Sequence, residues 1–185
     1  SALRPIPNLT ISSPMDECEL RRLMFTAQQP NMGAFVIRYP RGRGVHTDWK
    51  CPLEQIPVGK ARLIHEGTDM AVLSLGPVGN DVEEVIQELE KEGKSVAHYD
   101  MRFLKPIDED TLKLVGNKYK KIVTVEDGAL KGGLGSAVLE YMSDNSLSPK
   151  IVRLGLPDHF VEHGSVNELH HIAGIDKEAI KKALL

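Results

Sequence analysis

Short apolar runs alternate along the chain with stretches of helical periodicity. Asn8 to Ser12 reads as a strand, and Ser13, Pro14 and Asp16 read as a helix start, with the serine as cap and the aspartate as the short-armed partner of a capping box. Leu20, Leu23, Met24 and Ala27 then recur at helical spacing, so one face of that helix is buried. Ala34 to Tyr39 is the next strand. These pieces make a β-α-β unit of about thirty residues, too small to hold a core by itself. It has to lean on something supplied later in the chain or outside it.

The pattern changes at Arg41. From there to Pro57 the sequence is rich in proline, glycine and charge, and it reads as a linker whose Trp49, the only tryptophan, docks on a domain surface. Gly59 to His65 reads as an edge strand, because Lys60, Arg62 and His65 interleave with apolar neighbours. Met70 to Leu75 is continuously apolar and therefore central. A helix with Val82, Val85, Ile86 and Leu89 on one face runs to Gly93, and Ser95 to Met101 is the following strand. Asp108 caps a helix through about Tyr119, and Lys121 to Val125 is a buried strand ended by Glu126-Asp127-Gly128. Gly132-Gly133-Leu134-Gly135-Ser136 opens a helix that aligns Leu134, Ala137, Val138 and Tyr141, and Ile151 to Leu154 is the last strand. Ser165 and Glu168 form a capping box for a helix containing Leu169, Ile172 and Ala173, and Asp176 caps the final helix.

Strands alternating with helices predict an α/β fold with a mostly parallel sheet covered on both faces, that is, three α/β/α layers. The expected boundaries are the tail of a smaller α/β domain at residues 1–44, a linker at 45–57 and the three-layer domain at 58–185. Ser1 is not a methionine and the first element begins almost at once, as though a larger domain had been cut.

Composition adds exclusions. Among 185 residues, 41% are hydrophobic and 26% charged, which predicts a packed core rather than disorder. A net charge of -3 speaks against a nucleic-acid partner bound through a general basic surface. No run is long enough to cross a bilayer and the N-terminus lacks a signal-peptide core, so the expectation is a cytoplasmic protein without a membrane partner. Cys18 and Cys51 are too few and too isolated for a disulfide framework or a zinc site; they read as ordinary half-buried residues of a reducing compartment.

Candidate chemistry concentrates at Arg38-Tyr39-Pro40-Arg41-Gly42-Arg43-Gly44. Arg38 and Tyr39 close a strand, and open α/β sheets place ligands at such ends. Arginines on a glycine-bearing loop suit a phosphate, because the guanidinium fork donates two parallel charge-assisted hydrogen bonds; a solvated linker or an interdomain salt bridge would show the same residues. The glycines before Ser136 match neither G-x-G-x-x-G nor a P-loop, and the acids Glu126 and Asp127 would repel a phosphate, so tight packing or a subunit contact is the better reading there. Arg102 is expected to pair with Asp100, or with Glu126 or Asp127 at the neighbouring strand end. His159 with His163, and His170 with His171, complete no metal pattern, and no Ser-His-Asp or Cys-His nucleophile set can be assembled from spacing.

Several stretches resemble one family. Pro7 to Glu17, Arg38-Tyr39-Pro40-Arg41-Gly42, Val96 to Pro106, Val125 to Ser136 and Leu154-Gly155-Leu156-Pro157-Asp158 look, in that order, like the C-terminal part of the 1-deoxy-D-xylulose-5-phosphate synthases, which are transketolase-like enzymes. The resemblance implies that residues 1–44 are the end of a pyrimidine-binding domain and that residues 58–185 are a transketolase C-terminal-like domain. It also implies a homodimeric enzyme that decarboxylates pyruvate on thiamine diphosphate with magnesium and adds the two-carbon unit to glyceraldehyde 3-phosphate. By the Tyr-Pro-Arg-Gly motif, Arg41 is the residue implied to bind the phosphate of glyceraldehyde 3-phosphate, with Arg38 and Arg43 at most supporting. The residues that hold the cofactor and metal lie upstream in that family, so this chain alone is expected to be inactive. Another transketolase-like enzyme, or a non-catalytic dimerisation or anion-binding module, are the alternatives.

Overall fold

The computed structural model describes residues 2–42, 44–45 and 49–185. β1 (Leu9–Ser12) and β2 (Ala34–Ile37) run parallel and are joined by α1 (Glu17–Ala27). Asp16 caps α1, accepting from the Glu19 N–H at 2.8 Å, where the sequence pointed to Ser13. Ser13 has another task, since its hydroxyl donates to the Arg38 carbonyl at 2.9 Å and ties the two strand ends together.

Further along come β3 (Arg62–His65), β4 (Met70–Leu75), α2 (Val78–Lys91) and β5 (Val96–Asp100). The chain then turns back through Arg102, which takes a left-handed φ of 55°. There it forms β6 (Phe103–Lys105), antiparallel to β1, with Ser12 opposite Phe103. The small unit thus finds its support later in this chain, in a sheet of order β2-β1-β6. The remaining elements are α3 (Glu109–Lys118), β7 (Lys121–Ala129), α4 (Leu134–Asp144), β8 (Lys150–Leu156), α5 (Val166–Ala173) and α6 (Lys177–Leu184). β7 runs through Glu126-Asp127-Gly128 rather than ending there, and its register against β8 shifts between Val125 and Ala129.

The larger sheet has the order β3-β5-β4-β7-β8, parallel except for the edge strand β3. Val72 and Leu73, and Ile122 and Val123, point to opposite faces, yet all four are fully buried. Helices therefore cover both faces: α3 and α4 pack with Leu73 and Ile122, while α2 and α6 pack with Val72 and Val123. The three-layer architecture follows from that double burial. Ile11 and Leu104 extend the first of these cores into the small sheet, whose other face packs Phe103 and Phe35 against Leu23 of α1. The capping box at Ser165 and Glu168 is present. Among the described residues no helix is long and apolar enough to cross a membrane.

The cysteines are a correction. Cys18 on α1 and Cys51 form a disulfide, with Cα atoms 5.8 Å apart. Their separation of 33 residues hid the pairing, because only the packing of residues 49–56 along α1 brings them together.

Candidate functional site

The strand ends of both sheets converge. In the larger sheet the chain moves from β4 outward to β5 on one side and later to β7 and β8 on the other, so the β4/β7 boundary is the point where strand order reverses and ligands tend to bind. Leu75 and Glu126 lie at that end. From the small sheet come Ser12, Ser13 and Arg38, and together these residues line a cavity of about 620 Å³ whose back wall is apolar.

Arg38 is held by its backbone. Its N–H donates to the Ser12 carbonyl at 2.8 Å, and its carbonyl accepts from Ser13 Oγ. Its guanidinium pairs with Asp127 on β7 at 3.1 Å, so the interdomain ion pair considered from sequence is realised at Arg38. Past it the loop leaves the sheet. Tyr39 is 62% exposed, and Arg41 is exposed and makes no hydrogen bond or ion pair among the described residues. On either side of it, Pro40 and Gly42 line a second hollow of about 300 Å³ over the start of α1 at Pro14 to Glu17. Arg43 lies outside the described residues.

Glu126 explains the glycine-rich turn. The carboxylate of this buried side chain accepts from the Gly135 N–H at 3.0 Å, so the N-terminus of α4 is already occupied by the chain's own anion. Burial pushes the Glu126 carboxyl above the usual glutamate range, against the pull of the Leu134 and Gly135 N–H groups. A Cβ on Gly133 would sit 2.2 Å from Glu126 Oε2 and 2.5 Å from the Ala129 carbonyl oxygen, and that backbone cannot yield cheaply. Gly133→Ala is therefore expected to destabilise the chain by about 1–3 kcal/mol in urea titration, and a neutral result would mean that Glu126 does not hold this position.

Arg102 is a second correction. It pairs neither with Glu126 nor with Asp127. Its Nε stands 2.8 Å from Glu19 Oε2 and its Nη2 donates to Glu19 Oε1 at 3.2 Å, while only its backbone N–H reaches Asp100, at 3.1 Å. The left-handed backbone at Arg102 accompanies this turn of the guanidinium toward α1.

Spacing also missed a hydrogen-bonded triple. Ser74 Oγ lies 2.7 Å from His98 Nε2, and His98 Nδ1 bonds to Glu83. Both Ser74 and His98 are fully buried, so this is a brace joining β4, β5 and α2 rather than a nucleophile that meets a substrate. His159 and His163 join no cluster of metal-ligating groups among the described residues. The grouping that does occur there is His171, Asp176 and Glu178; it is largely exposed, and Asp176 already caps α6 and accepts from His171.

Among the described residues the arrangement offers an unpaired arginine, Arg41, beside a paired one, Arg38. It can recognise an anion.

Residues 59–180 match the family model described as "Transketolase, C-terminal domain". A 1-deoxy-D-xylulose-5-phosphate synthase of Phocaeicola vulgatus is 59% identical over 184 residues, covering 99% of this chain and 29% of that protein. Its counterpart in Bacteroides fragilis is 60% identical over 183 residues, covering 98% of this chain and 28% of that protein. The chain thus spans less than a third of the length of these curated relatives. Among solved structures, one described as "Split gene transketolase, inactive beta4 tetramer" superposes with a TM-score of 0.83 at 27% identity, covering 98% of this chain and 58% of that one.

Proposed function

We propose, since this chain belongs to the family of transketolase C-terminal domains, that it is the C-terminal part of a 1-deoxy-D-xylulose-5-phosphate synthase and supplies the arginine that holds the phosphate of glyceraldehyde 3-phosphate. The whole enzyme joins that aldehyde to the two-carbon unit of decarboxylated pyruvate, acting in the cytoplasm as a homodimer. Residues 1–44 are read as the end of its pyrimidine-binding domain, 45–57 as the linker and 58–185 as the transketolase C-terminal-like domain; the family match beginning at residue 59 supports this division.

The observation that carries the reading is Arg41: an exposed guanidinium with no protein partner among the described residues, set between Pro40 and Gly42 at the edge of a hollow beside a strand end. Arg38, a few residues away, is neutralised by Asp127 and is the weaker candidate. The diphosphate of thiamine diphosphate does not fit the residues present. The α4 N-terminus, a helix end of the kind that takes phosphates, is filled by Glu126, and Asp127 beside it adds like charge. No step through that cofactor is assigned to this chain, and the isolated chain is read as inactive. The split-gene relative, described as inactive in its own assembly, is consistent with that.

In the whole enzyme, Arg41→Ala is expected to raise KM for glyceraldehyde 3-phosphate by about tenfold to hundredfold, the loss of a charge-assisted hydrogen-bond pair, while KM for pyruvate stays put. An unchanged KM for the aldehyde would remove Arg41 from the site.

A further inference from the structure

The segment between the two units is fastened to α1 by side chains that reach around half of the helix. Glu17 Oε1 accepts from the Val45 N–H at 2.6 Å, Arg21 Nε donates to the Cys51 carbonyl at 3.0 Å, and the Arg21 guanidinium stands 5.6 Å from the centre of the Trp49 ring. Arg22 pairs with Glu54 at 2.8 Å, and Thr26 Oγ1 accepts from the Ile56 N–H at 2.8 Å. Positions 17, 21, 18, 22 and 26 follow one another around half of the helix circumference, and the Cys18–Cys51 bond sits near the middle of that arc. Residues 49–57 form no helix or strand of their own, and Lys50, Leu53, Glu54 and Gln55 are exposed. Ion pairs at such a surface contribute little. The covalent bond is the strongest of the attachments, and both cysteines are only partly buried, within reach of small thiols.

We propose that Cys18 and Cys51 form a thiol–disulfide clasp whose redox state decides whether the 49–55 segment stays on α1. On closing, the thiolate of one cysteine attacks a low-molecular-weight disulfide and releases one small thiol; the second cysteine thiolate attacks the resulting mixed disulfide and releases the other. Two electrons pass to the small disulfide, and the two cysteine protons end on the released thiols. Opening by a dithiol is the reverse exchange, and the dithiol leaves as its own cyclic disulfide. The clasp is independent of what Arg41 binds.

The test uses the 185-residue chain. After oxidised glutathione, iodoacetamide should modify neither cysteine; after dithiothreitol it should modify both. Tryptic cleavage after the exposed Lys50, followed on reducing gels, should run about tenfold faster once the bond is opened, because local unfolding of the segment is no longer restrained. Cys51→Ser should cleave at the fast rate under either condition. Two reactive thiols after the oxidant, or equal cleavage rates in oxidised and reduced chains, would overturn the proposal.

Discussion

Glu19→Ala is expected to destabilise the chain by about 3–5 kcal/mol, because it removes the fully buried anion that partly buried guanidinium groups share. Glu19 has no exposed surface. Its Oε1 accepts from Arg62 Nη1 at 3.3 Å and from Arg102 Nη2 at 3.2 Å, its Oε2 lies 2.8 Å from Arg102 Nε, and Arg22 Nη1 stands 3.8 Å away. Arg62 keeps Asp100 at 3.1 Å and Arg22 keeps Glu54. Arg102 has no other carboxylate at ion-pair distance among the described residues. Asp100 cannot take over: it is buried, and burial pushes its carboxyl above the usual aspartate range despite the guanidinium of Arg62. Urea unfolding of the single variant measures the loss. The double variant Glu19→Leu with Arg102→Met should recover most of it, since replacing both partners of a buried pair by apolar volume is often neutral. A single variant within about 1 kcal/mol of the parent would show that water already screens this cluster. The consequence reaches the site: Glu19 belongs to the small unit and Arg62 to the larger sheet, so the cluster fixes how the two sets of strand ends face each other.

That cluster was not legible in the sequence, and the reason is physical. Periodicity exposes elements that bury a face of their own, which is why the larger sheet's strands and both of its helix layers could be read from Val72, Leu73, Val85 and their neighbours. Phe103-Leu104-Lys105 is too short to show a period, so β6 and the joining of the two sheets stayed hidden. Nothing local marks the partner of Arg102 either, because its acid sits 83 residues away on a helix that docks only in the folded chain. The same holds for Cys18 with Cys51, and for Ser74 with His98 and Glu83. Arg41 was legible from a motif resemblance and a strand-end argument, both local in sequence. What remained invisible was the contrast that matters for binding, with Arg38 neutralised and Arg41 free among the described residues, since that depends on Asp127 arriving from β7.

Asp108→Ala should cost about 2–4 kcal/mol, because one carboxylate caps α3 and also anchors the approach to β3. Its Oδ2 accepts from the Ala61 N–H at 2.9 Å and from Thr111 Oγ1 at 2.9 Å; its Oδ1 takes the Thr111 N–H and Lys60 Nζ, each at 3.3 Å. Alanine leaves the Ala61 donor without that acceptor as well as removing the cap. The carboxylate also gives the chain an acid dependence of definite sign. Burial pushes its pKa up, but the Ala61 N–H, the Thr111 hydroxyl and N–H, and Lys60 together hold it below the ordinary 3.8. A depressed folded value means that the unfolded chain takes up this proton first. The stabilisation is therefore complete above the ordinary aspartate range and drains away as pH falls through 3.8 toward the folded value. Asp108→Asn keeps a capping oxygen and loses the charge, so its stability gap to the parent should be wide at neutral pH and narrow at about pH 3. Glu126 has the opposite sign, since its raised pKa lowers stability as pH climbs through the glutamate range, so Glu126→Gln provides the contrasting profile. A gap at Asp108→Asn that stayed constant between the two pH values would mean that the hydrogen bonds at this cap owe nothing to the charge.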